Sequence, residues 1–177
     1  MAIRVQGPLD EASPHSDRFL MALGRLVAES SLLESQIDWL CWVLISRDTG
    51  VTQIVTADLQ FRNKVHLAQA LVHHAVVPKD KAVGERFIEI LKGCHSMYDD
   101  RNDFIHGVWI GSDKAVRGHF RVTAKGELRP KLRTIDASPI ERLADRFRSS
   151  TGELVEAMLD LHNVIMPLSA APGRAWP

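Results

Sequence analysis

Three side chains in the run Asp100-Arg101-Asn102-Asp103-Phe104-Ile105-His106-Gly107-Val108-Trp109 carry the clearest capacity for chemistry in this chain: Arg101, Asn102 and His106. On a helix, Asn102 and His106 are four apart and share a face, with Arg101 at its edge. An imidazole gives and takes protons near neutral pH. A guanidinium grips a phosphate through paired hydrogen bonds and favours the extra charge of its transition state. An amide can orient either group. RNA brings its own nucleophile, the 2′-hydroxyl, so its cleavage needs positioning, charge stabilisation and two proton transfers, but no metal. One His106 serves two proton transfers awkwardly. A symmetric dimer that presents two copies of the constellation in one cleft supplies both, which predicts a homodimer with His106 near the twofold axis.

Spacing alone does not single out this constellation. An Arg five to seven residues before a His arises by chance about twice in a chain of this composition. The run Arg62-Asn63-Lys64-Val65-His66 repeats the Arg-Asn pair with the His one residue too close, and it reads as helix surface. Context distinguishes the first run: Asn102 directly after the Arg, Gly107 directly after the His, and a place at the end of a long amphipathic segment. The competing role for His106 is a plain helix C-cap, since His and Gly are both common where helices end and the His cation suits the dipole there.

The elements that must hold these residues follow from hydrophobic periodicity. From Ser16 to Arg47, Phe19, Leu20, Leu23, Leu26, Val27, Leu33, Ile37, Leu40, Cys41 and Leu44 recur at helical steps, with Ser16 or Asp17 as cap and Asp48-Thr49-Gly50 as the stop. The stretch Val51 to Ala57 has no clear period. A further helix spans Gln60 to Ala75 and breaks at Val77-Pro78. The next starts near Asp80 and reaches Ile105 or His106, with Val83, Phe87, Ile90, Leu91, Cys94 and Tyr98 on its apolar side. The period then falls to two. Val116, Gly118, Phe120 and Val122 alternate with Arg117, His119 and Arg121; beyond the turn Lys125-Gly126-Glu127, Leu128, Pro130 and Leu132 alternate with Arg129, Lys131 and Arg133. This pattern is that of a β-hairpin with one apolar and one cationic face, and Pro130 suits an edge strand. Ser138-Pro139-Ile140-Glu141 opens the last helix, with Ser as N-cap, Pro at the first helical position and Glu three residues after the cap. Its stripe includes Leu154, Val155 and Met158 and runs on to Ile165.

The fold class expected is mainly all-α: an up-down helical bundle of four to five helices with a β-hairpin inserted before the last helix. The bundle occupies residues 16–168 and the hairpin about 114–134. An N-terminal tail, 1–15, and a loose Ala/Pro/Gly-rich tail, 169–177, flank it. At 177 residues, 45% hydrophobic and 25% charged, the composition is that of one globular domain. No apolar run approaches a membrane span, and Met1 to His15 lacks the apolar core of a secretory signal. Cys41 and Cys94 sit in apolar helical settings as buried free thiols, which points to a cytoplasmic location. His66, His73, His74 and His95 complete no His-x-x-x-His or Cys-x-x-Cys spacing, and there is no Gly-rich phosphate loop, so neither metal nor cofactor is expected. Trp39 and Trp42 read as core or dimer contacts. Glu34, Asp38 and Lys64 could reach the motif from neighbouring helices, which sequence alone does not show.

In that context the segment resembles the HEPN superfamily (higher eukaryotes and prokaryotes nucleotide-binding), whose mark is an Arg, four to six residues and a His, often with a polar residue after the Arg. Arg101, Asn102 and His106 match with a four-residue gap. The resemblance implies an α-helical bundle, dimerisation through the motif helix and often metal-independent endoribonuclease activity, with many members acting as toxins or in antiviral defence. It gives no neutralising partner. The group paired with nucleotidyltransferase antitoxins has a Tyr two residues after the His; this chain has Val108 there. The hairpin lies outside the family's core pattern.

Net charge is zero, unlike a generic nucleic-acid coat protein. Yet from Lys114 to Arg133 seven Lys or Arg face one Glu, a net +6 that leaves the rest of the chain at −6. Arg117, His119, Arg121, Arg129, Lys131 and Arg133 are therefore candidate RNA-phosphate contacts; otherwise they form a solvated face. Two functions follow for testing. One is a dimeric, metal-independent endoribonuclease using Arg101, Asn102 and His106. The other is a non-catalytic helical nucleotide-binding or protein-interaction module.

Overall fold

The computed structural model describes residues 17–45, 49–106, 108–110, 118–122, 128–131 and 136–165. Five helices account for most of them: α1 (Asp17–Ile45), α2 (Thr49–Ala57), α3 (Phe61–Ala75), α4 (Lys81–Ile105) and α5 (Ala137–Ile165). Three short strands, β1 (Val108–Ile110), β2 (Gly118–Val122) and β3 (Leu128–Lys131), lie between α4 and α5 in one sheet of order β1-β2-β3. Both pairings are antiparallel, with Val108 opposite Phe120 and Arg121 opposite Arg129. β1 has no counterpart among the strands expected from the period-two pattern. The expected tails 1–15 and 169–177, the turn Lys125-Gly126-Glu127, and Arg117 and Arg133 lie outside the described residues.

The helices pack around one core in which Phe19, Leu33, Phe87, Leu91, Phe147 and Leu154 are fully buried. Ion pairs give their directions. Arg18–Glu141, Arg25–Asp145 and Glu29–Arg148 climb in step, so α1 and α5 run parallel. Arg86–Asp160 and Asp100–Arg146 run in opposite order, so α4 is antiparallel to α5. Asp80 caps α4 by accepting the Val83 N–H at 3.1 Å, and the turn before it folds α4 back along α3. The approach there is close: a Cβ on the buried Gly84 would lie 2.5 Å from Val77 Cγ2 and 3.0 Å from Val77 Cα.

Several expectations need correction. Thr49 and Gly50 do not merely stop α1; they begin α2. Leu20, Val27 and Val155 are not inward, being 42%, 40% and 40% exposed. An apolar stripe read from period alone is wider than the arc that neighbouring helices cover. The cap of α5 is not Ser138. Asp136 takes that place, accepting the Ser138 N–H at 3.1 Å, which puts Pro139 in the first turn where its missing N–H costs nothing. Glu141 is then free of any capping duty and pairs with Arg18 through both oxygens, at 2.8 and 2.7 Å. No described helix is long and apolar enough to cross a membrane.

Candidate functional site

Because α3 and α4 form a helical hairpin, residues equidistant from its turn meet. Phe61, the first residue of α3, stacks on Tyr98 with centroids 3.9 Å apart and planes 4° apart. Arg62 donates to both carboxylate oxygens of Asp99 at 3.2 and 3.3 Å. The rings of His66 and His95 lie 4.9 Å apart. The start of α3 and the end of α4 therefore share one end of the bundle, next to Glu34 of α1. There they enclose a cleft of about 420 Å³ lined by Glu34, Leu59, Gln60, Phe61, Arg62, Tyr98, Asp99, Asn102 and His106.

Two of the three residues singled out in the motif meet in this cleft. His106 is the C-cap of α4, its backbone N–H donating to the Asn102 carbonyl at 3.0 Å. It is also exposed and lines the cleft one helical turn from Asn102. The capping role and access to the cleft thus coexist. Arg101 is not among the lining residues. Its Nη1 donates to Asn102 Oδ1 at 3.0 Å, its guanidinium carbon lies 5.2 Å from the Tyr98 ring centroid, and its Nε is buried with no hydrogen-bond partner among the described residues. With one lone pair of Oδ1 taken by Arg101, Asn102 keeps a second acceptor site and its NH₂ donors.

Behind the cleft lies a partly buried ion cluster. Lys64 Nζ, on a side chain only 9% exposed, donates to Glu34 Oε1 at 2.9 Å and to Asp38 Oδ2 at 2.8 Å. Burial pulls the Lys64 ammonium down, but the hydrogen bonds and charges of Asp38 and Glu34 outweigh it and hold its pKa above the usual lysine value. Asp38 is pushed up by burial, which Lys64 only partly offsets, and its Oδ1 has no hydrogen-bond partner among the described residues. Burial, then the Glu34 charge, raises the Tyr98 phenol, against Arg101 and Lys64. The thiols of Cys41 and Cys94 are buried and form no disulfide, and burial pushes each up to about 12, which disfavours the thiolate.

The run Arg62 to His66 is more than helix surface. Arg62 lines the cleft and Lys64 is buried, while Asn63 and His66 are exposed. Gln60, Arg62, Tyr98 and Asp99 went unremarked as site residues in the sequence, although the Pro78 turn holds the signal: folding the chain there sets Arg62 opposite Asp99. Trp42 ties α1 to α2 by donating to Thr56 Oγ1 at 2.8 Å, and Trp39 is 50% exposed. Among the described residues no group of three or more His, Cys, Asp or Glu is placed to hold a metal. Neither family models, curated proteins nor solved structures give a match to this chain.

Proposed function

We propose that this chain is a metal-independent endoribonuclease of the HEPN kind, acting in the cytoplasm through the cleft at the α3/α4 end of the bundle. The observation that carries the proposal is that Asn102 and His106 line one cleft with Arg62 and the start of α3. His106 is the proton-transfer group. Arg101 orients the Asn102 amide, and Arg62 together with the N-terminal end of α3 receives the phosphate. Gln60 makes no side-chain cap there, so the positive end of α3 stays available to an anion. The Arg62–Asp99 pair is well exposed, 62% and 65%, and such pairs are worth about 0–1 kcal/mol, so an incoming phosphate can displace it.

The proposal includes a homodimer along α4 and RNA contact by the cationic ribbon. For the ribbon, the β2/β3 register opposes Arg121 to Arg129 and His119 to Lys131, positions that an antiparallel ladder puts on one face. Affinity for RNA then falls steeply with salt, and a salt-independent affinity contradicts the phosphate contacts. A second reading, a nucleotide-binding or interaction module without catalysis, is favoured by the engagement of Asn102 by Arg101 and of Arg62 by Asp99. Incubating the protein with single-stranded and structured RNA in EDTA separates the two. Cleavage that disappears in a folded His106→Ala variant supports the nuclease. Absence of cleavage of every RNA by the wild type leaves only the binding module.

A further inference from the structure

The chemistry of 2′-hydroxyl attack needs a proton acceptor and a proton donor, and His106 alone supplies one of them. Glu34 reaches the same cleft from α1 of the same chain. Its Oε1 accepts from Lys64 Nζ at 2.9 Å, which positions the carboxyl. Asp38, the other acid on Lys64, does not line that cleft; it lines a separate hollow with Trp39 and Trp42.

Resting on the nuclease reading, we propose that Glu34 is the second catalytic residue, the general base to His106 as general acid, so that one chain holds both proton-transfer groups. In this step the Glu34 carboxylate takes the proton of the 2′-hydroxyl. The O2′–phosphorus bond forms, the phosphorus–O5′ bond breaks, and the His106 imidazolium gives its proton to O5′. The products are a 2′,3′-cyclic phosphate and a 5′-hydroxyl. Glu34 is left protonated and His106 neutral, and exchange with water resets both. The charged and titratable groups that face Glu34 are Lys64 from α3, Asp38 from its own helix and Tyr98 from α4, with Arg62, Asp99 and His106 around the cleft.

The test is the pH dependence of RNA cleavage in EDTA for the wild type, Glu34→Gln and Glu34→Asp. Asp38 still holds Lys64 in all three, and unfolding curves check that each is folded. The wild type has a limb on the acid side that reports the base. Glu34→Gln loses that limb and about 10²- to 10⁴-fold in rate, the usual worth of a general base, while Glu34→Asp keeps the limb at reduced rate. A wild type that cleaves beside a Glu34→Gln variant with both limbs and near-normal rate overturns this assignment and leaves the nuclease standing. A wild type that cleaves no RNA overturns the nuclease itself. Mixing Glu34→Gln with His106→Ala gives a further discriminator. If the two groups must lie on one chain, the mixture stays inactive; recovered activity places the pair across two chains and refutes the assignment.

Discussion

Replacing Lys64 by methionine tests the physical account of the site's foundation. The substitution keeps most of the side-chain volume and removes only the charge, so the cost is electrostatic rather than a cavity. Two carboxylates lose their cation: Asp38, whose side chain is 17% exposed, and Glu34, at 29%. Removing one partner of a buried pair costs about 3–5 kcal/mol. The partial exposure of Glu34, which turns to water once released, puts this case near 3 kcal/mol. For a domain of this size that is a fall in Tm of roughly 6–12 °C. The pH dependence has a definite sign. Without Lys64, burial and the Glu34 charge act on Asp38 unopposed, so its folded pKa rises further above its unfolded value. The ionised form carries the penalty, so the deficit is largest at neutral pH and shrinks as the pH falls through that raised pKa. Urea unfolding of both proteins at neutral and mildly acid pH measures it. A cost of less than about 1 kcal/mol, or a deficit that does not shrink on acidification, refutes the claim that the cluster is buried and coupled. Adding Asp38→Asn to Lys64→Met should restore part of the loss, because it removes the stranded charge.

Two other outcomes follow from the geometry. Gly84→Ala gains helix propensity of about 1 kcal/mol but drives a methyl into Val77, including its backbone, at a typical overpacking cost of about 1–3 kcal/mol, so a net loss is expected in thermal melts; a more stable variant contradicts the close approach. His95 is held below its ordinary value of 6.5 by burial, then by His66 and Arg62, against Asp99. Its folded state prefers the neutral ring, so its contribution to stability is present above the unfolded pKa and is lost as the pH falls below it. A His95→Gln variant should therefore lose less stability than the wild type on acidification, and parallel stability–pH curves would contradict this.

What the sequence makes legible depends on which interactions are local. Helix α4 is legible at both ends, since Asp80 caps it through a bond three residues away and His106 ends it within one turn. The neighbourhood of Asn102 and His106 is legible for the same reason. The cap of α5 is misplaced because Ser138 and Asp136 are both good capping types, and only the backbone geometry chooses between them. Leu20 and Val27 are misread because period gives the apolar arc of α1 but not how much of it α3 and α5 cover. Sequence puts Glu34 and Lys64 on helices next to the motif without showing that either reaches it, and Arg62 and Asp99 become cleft residues only through a long-range pairing that the α3/α4 turn sets. For Arg101, spacing offers a phosphate ligand, whereas only packing shows that it lies against the Tyr98 ring and donates to Asn102.

The chemical identity of the product ends reports directly on the proposed attack by the 2′-hydroxyl. RNA incubated with the wild type in EDTA should yield fragments ending in 2′,3′-cyclic phosphate with 5′-hydroxyl partners, and 2′-O-methyl RNA of the same sequence should resist, because the attacking group is blocked. Fragments ending in 3′-hydroxyl with 5′-phosphate, or equal cleavage of the methylated RNA, contradict attack by the 2′-hydroxyl and with it the roles given to Asn102 and His106.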